Sequence, residues 1–198
     1  MGVYELSGAG SAKTPRTVYS SMNANNQYGA MVPITSVALS GSSNTVISNI
    51  PQTYQDLRIV FNARLSTTET SAGFFGFLLD NTGAVYSTTT LDGNGGVASS
   101  SRTTNSANGI SYVYMGGNAT ANILASNTID IFNYASTTTF KTALTRSAGD
   151  SNGAGQVRTF ATLYSITAAV TQITIPTAGF TWGSGSTFTL YGIRAVSS

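Results

Sequence analysis

Apolar and polar residues alternate along DLRIVFNARL, residues 56–65. Leu57, Ile59, Phe61, Ala63 and Leu65 fall on one side of an extended chain, with Asp56, Arg58, Asn62 and Arg64 on the other. A period of two is the pattern of an antiparallel strand with one buried face. Related runs recur in VALSGSSNTVISNI, GFFGFLLD, GISYVYM, NTIDIFNY, TFKTALTR, VRTFATLYSI, VTQITI and STFTLYGI. Turn-rich stretches separate them, including SGSSN, DNTG, LDGNGG, GGNAT and AGDSNGAG. The pattern predicts about nine or ten strands and no helix, hence an all-β protein: an antiparallel β-sandwich with jelly-roll-like connectivity. The final run keeps Phe188 and Leu190 on one side and Tyr191 and Ile193 on the other, close to the last residue. Chain ends are usually polar, so this reads as a last strand that completes the core.

Residues 1–33 follow neither a 3.6 nor a 2.0 period for more than a few positions. Tyr4, Leu6, Val18, Tyr19, Met22, Tyr28 and Met31 stand apart among Gly, Ser and Asn. These residues are too sticky for a mere linker. They predict an extended N-terminal arm, residues 1–33, that places its aromatic and apolar side chains in pockets of a neighbouring chain. The sandwich domain then runs from 34 to 198.

Composition sharpens this picture. Hydrophobic residues make up 41% of the 198 positions, enough for a core, while charged residues make up only 8%. An ordinary soluble protein carries roughly 25% charge. Ser, Thr, Asn and Gly fill the difference, a composition that suits strands and tight turns. A surface with so little charge repulsion suits a protein held in a fixed assembly. The formal net charge is +2, and the arginines and lysines are scattered without a basic run, so no nucleic-acid partner is expected. No apolar run approaches the roughly 20 residues of a membrane helix, so no membrane partner is expected. MGVYELSGAG lacks a basic and then apolar leader pattern, which leads to an expectation of synthesis in a cytoplasm.

The absence of histidine and cysteine removes the common zinc ligands and the Ser–His and Cys–His pairs. The acids are dispersed; Asp56 and Asp130 fall on polar strand faces, where pairing with Arg58 or Lys141 is expected. GAGSAKT, residues 8–14, departs from a phosphate-binding loop because Ala12 and Ser7 stand where that loop needs glycine. LDGNGG, residues 91–96, lacks the acids of a calcium loop and reads as a hairpin turn. No catalytic, cofactor-binding or metal-binding residue is therefore assigned. The rings of Tyr112, Tyr114, Tyr134 and Trp182 read first as core or cross-strand pairs, with stacking on sugars as the alternative. Trp182 is the preferred glycan contact, because glycines bracket it in GFTWGSGS.

The strings NIPQTYQDLRIVFNAR, IDIFNYASTTTFKT, ITAAVTQITI and GSTFTLYGI, in that order, resemble a recurrent β-domain of virion proteins of tailed bacteriophages. The resemblance covers most of residues 36–194. It implies a non-enzymatic structural component of the virion, of the tail, fibre, baseplate or capsid-surface type, with no catalytic motif to carry over. The expected partners are other phage virion proteins and further copies of the chain, with a trimer favoured among the symmetric positions of a particle. The alternative is a host-surface glycan-binding module that uses loops near residues 92–109, 149–156 and 179–186.

Overall fold

The computed structural model describes residues 30–80 and 83–195. Tyr4, Leu6, Val18, Tyr19, Met22 and Tyr28 of the predicted arm lie outside these residues. The described residues form twelve strands: β1 (Met31–Ala38), β2 (Thr45–Ile47), β3 (Asp56–Ala63), β4 (Ala72–Leu79), β5 (Tyr86–Gly93), β6 (Ala98–Ser106), β7 (Ile110–Met115), β8 (Ala125–Phe132), β9 (Lys141–Asp150), β10 (Gly155–Tyr164), β11 (Ile173–Ile175) and β12 (Thr187–Ile193). They make two antiparallel sheets, one of eight strands in the order β1-β12-β3-β8-β9-β10-β5-β6 and one of four in the order β2-β11-β4-β7. The fold is all-β, as the alternation predicts. Strands β5 and β6 are additional to that reading. β1 begins at Met31, within the stretch read as arm; Met31 pairs with Ile193 and is partly exposed.

The alternation of β3 translates directly into packing. Leu57, Ile59, Phe61 and Ala63 are fully buried, and Phe188 and Leu190 of β12 lie beside them. The opposing sheet contributes Phe77, Leu79, Tyr112, Ile173 and Ile175 to the same core. Phe61 sits at its centre, with ring centroids of Phe77 at 5.0 Å, Tyr112 at 4.8 Å, Trp182 at 5.7 Å and Phe188 at 6.1 Å. These edge-on contacts align the positive rim of one ring with the negative face of another.

Every residue of β7 is buried, although β7 ends its sheet. Ile110, Tyr112 and Tyr114 face the central core, whereas Val113 and Met115 join Ala125 and Phe160 in a second cluster. The eight-stranded sheet continues past β8, and β9 and β10 lie against β7. An exposed edge strand leaves backbone groups unpaired. Asn127 of β8 deals with this edge: Val113 N donates to its Oδ1 at 2.9 Å, and its Nδ2 donates to Val113 O at 2.9 Å and Phe61 O at 3.1 Å. A side-chain amide thus takes the place of a neighbouring strand and joins the sheets at their seam. Ser147 Oγ donates to the same Oδ1 at 2.6 Å and fixes the amide's orientation.

The few charges hold loops in place. Arg58 grips Asp130 through two nitrogens, at 2.6 and 3.0 Å, as the polar face of β3 predicts. Lys141 differs from expectation. Its side chain turns inward, and the three N–H donors of Nζ are shared among the carbonyls of Ser136, Thr139, Ile166, Thr167 and Ala168 at 2.6–3.2 Å. Arg64 similarly donates to the carbonyls of Gly117, Ala119, Thr120 and Ile123. In both cases a cation satisfies loop carbonyls that have no ladder partner.

Candidate functional site

β4 carries two adjacent phenylalanines, and adjacent strand residues face opposite ways. Phe77 and Leu79 point into the central core. Phe74, Gly76 and Leu78 point to the other side of the four-stranded sheet, where the far end of the eight-stranded sheet curls round to meet them. Between the two surfaces lies a cleft of about 640 Å³, within the range of roughly 300–1,000 Å³ typical of small-ligand sites. The turn before β7 closes one end. It presses so closely on β4 that a side chain at Gly76 would run into the Asn108 carbonyl.

Strand register builds the opposite wall. Arg158, Asp92 and Ser99 are neighbours across β10, β5 and β6, and the next row inward is Phe160, Thr90 and Ser101. A third row places Thr162 beside Thr88 and Thr88 beside Thr103, with Thr88 and Thr162 hydroxyls 3.1 Å apart. Burial on β5 alternates accordingly: Thr88, Thr90 and Asp92 are partly covered, while Thr89 and Leu91 face outward. The wall is therefore a grid of hydroxyls with one ion pair. Among the described residues, the hydroxyls of Thr90, Ser99, Ser101 and Thr103 have no protein hydrogen-bond partner.

Arg158 Nε and NH2 donate to the two oxygens of Asp92 at 2.9 and 3.0 Å. Planar, two-pronged pairing of this kind is strong and directional. The guanidinium carbon also lies 4.6 Å from the centre of the Phe74 ring, a cation–π distance. Phe74 remains 56% exposed despite this cover. The ion pair thus belongs to the hydroxyl wall and touches the aromatic wall through the Arg158 guanidinium, with both partners fixed in place and their charges cancelled. Asp92 is the single carboxylate in the lining.

Trp182, the ring expected to stack on a sugar, is 4% exposed and packs edge-on against Phe61. Backbone bridges to Gly41 and Leu65 tie its loop down and turn the indole inward, so it offers no face to a ligand. Tyr112, Tyr114 and Tyr134 are also buried. Burial pushes the Tyr86 and Tyr112 hydroxyls well above the usual tyrosine range, and burial together with Glu69 pushes Tyr114 up to about 12. Burial also raises Tyr134. These are hydroxyls of the protein interior. The stretch 92–109, expected as a loop, contains β6, while residues 149–156 close the β9–β10 hairpin. Phe74 and Arg158 were missing from the sequence-based candidates, although the double phenylalanine of GFFGFLL was a legible sign that both faces of β4 carry aromatic surface.

Comparison with protein-family models, curated proteins and solved structures returns no match. The cleft is therefore interpreted from its own chemistry: an aromatic wall and a hydroxyl wall that carries a neutral ion pair.

Proposed function

We propose that this chain is a non-enzymatic structural protein of a tailed-bacteriophage virion, a jelly roll attached to neighbouring subunits through an arm of residues 1–33. The observation that carries the reading is strand order. With the hairpins β5–β6 and β9–β10 set aside, the order is β1-β12-β3-β8 in one sheet and β2-β11-β4-β7 in the other. This order supports the jelly-roll reading, because a long antiparallel hairpin that rolls up into two Greek keys would produce it, as in viral capsid and lectin domains. The two hairpins then extend one sheet and form the curled wall of the cleft. Sparse charge and the resemblance of the strand motifs to phage virion proteins support the same reading. Leu91 and Val157, exposed by 61 and 65%, provide apolar surface for assembly on the outside of the curl, and Val97, exposed by 66%, adds to it from the β5–β6 turn.

The test is location and attachment. Antibody against the purified chain is expected to label phage particles, and deletion of residues 1–30 to leave a folded β-protein that no longer joins them. Unlabelled particles, or normal incorporation of the truncated chain, would overturn the virion role or the anchoring role respectively. A second reading, a host-surface glycan-binding module, is favoured by the cleft.

A further inference from the structure

We propose that the cleft between β4 and the β10–β5–β6 wall binds a short, uncharged oligosaccharide. The proposal deepens the glycan-binding reading and moves the contact from Trp182 to Phe74, Arg158 and Asp92. A sugar ring has an apolar C–H face and a rim of hydroxyls, and the cleft has a surface suited to each. The Arg158 guanidinium covers one side of the Phe74 ring and 56% of the residue stays exposed, while Thr90 and Ser101 line the cleft with hydroxyls that no described protein group engages.

The ion pair supplies direction. A guanidinium has five N–H donors: Asp92 takes two, and the Gln156 side-chain oxygen takes a third, from NH2 at 3.2 Å. The two NH1 donors can bind one sugar hydroxyl oxygen, and the Asp92 carboxylate can accept a hydrogen bond from an adjacent hydroxyl. A vicinal diol satisfies both partners while the pair stays intact. The side chains of Arg158 and Asp92 are only 12 and 19% exposed, so their positions are set before a ligand arrives, which lowers the ordering cost of binding.

The same features disfavour other ligands. Arg158 is the only basic residue in the lining and is already neutralised by Asp92. Phosphate backbones and acidic sugars therefore meet no net positive charge. A purely apolar ligand would bury the hydroxyl wall without replacing its hydrogen bonds to water.

The experiment titrates the isotope-labelled 198-residue chain with maltotriose, cellotriose, mannotriose, lactose and triacetylchitotriose, with trigalacturonate as the acidic comparison, following backbone amide resonances. At least one neutral saccharide is expected to shift Phe74, Thr90 and Ser101. Phe74→Ala is expected to weaken that binding roughly tenfold, equivalent to about 1.4 kcal/mol. Ser101→Trp, at an exposed position, fills the cleft and is expected to abolish binding without loss of fold. The proposal is overturned if none of the neutral saccharides shifts these residues, if trigalacturonate binds more tightly, or if both variants bind as well as the parent. Because isolated protein is used, failure here leaves the antibody-labelling result intact, and a failure of labelling leaves this result intact.

Discussion

The two faces of β4 show how one strand serves two environments. On the inner face, Phe77 is fully buried and its ring centroid lies 4.5 Å from Tyr112 and 5.6 Å from Phe188. On the outer face, three residues earlier, Phe74 is 56% exposed and is covered in part by a single guanidinium. The inner face is closed by rings packing on rings, so its chemistry is exclusion of water. The outer face is bounded by hydroxyls and an ion pair, so its chemistry is exchange of water for a polar ligand. Identical side chains three positions apart therefore have different consequences when altered.

The sharpest way to break the comparison is to place a charge on the closed side. Leu190 is fully buried in β12, and Leu190→Asp puts a carboxylate there without a partner. We expect a loss of roughly 5 kcal/mol, comparable with the whole stability of many domains, and hence insoluble protein. Soluble protein with an unchanged melting temperature would remove β12 from the core.

A smaller loss is expected from Lys141→Met. The hydrocarbon is kept and the ammonium is deleted, which leaves five carbonyls without their donor. Roughly 3 kcal/mol of destabilisation should appear as a lower urea midpoint. No change would mean that other donors serve these loops equally well.

Alkaline pH probes the closed side more gently. Tyr86, Tyr112, Tyr114 and Tyr134 have folded-state pKa values above the ordinary 10.0, with burial as the leading cause. The folded chain therefore holds these protons more tightly than the unfolded chain. Their stabilisation is fully present below pH 10.0 and declines as pH rises through the interval toward about 12, the value for Tyr114. Melting temperature should fall across that interval, and tyrosinate absorbance of the folded protein should lag that of the ten tyrosines in denatured chain. Parallel titration of folded and denatured protein would contradict the burial of these hydroxyls.

The closed side was legible in the sequence because its chemistry alternates. Leu57, Ile59 and Phe61 differ in kind from Asp56, Arg58 and Asn62, and a period of two exposes the difference. The open side was hidden for the opposite reason. Thr88 and Thr90 face the cleft and Thr89 faces away, yet all three are threonine, so β5 shows no periodicity. β6 is almost uniformly polar and exposed. The Arg158–Asp92 pair joins residues 66 positions apart and becomes visible only once β10 and β5 are in register. Trp182 misled because glycine neighbours do mark an irregular segment, but an irregular backbone can still deliver its side chain inward. Asn127 had no advance sign at all: its amide acts as a substitute strand only because the edge strand β7 is brought against β8, an interior strand of the other sheet.

The most direct test of this two-faced account compares Phe77→Ala with Phe74→Ala by urea unfolding. Phe77→Ala is expected to lose about 3–5 kcal/mol, through lost burial and a residual cavity. Phe74→Ala is expected to lose less than about 1 kcal/mol, the scale of an exposed cation–π contact. Similar losses in the two variants, or a larger loss for Phe74→Ala, would contradict a closed inner face and an open outer one.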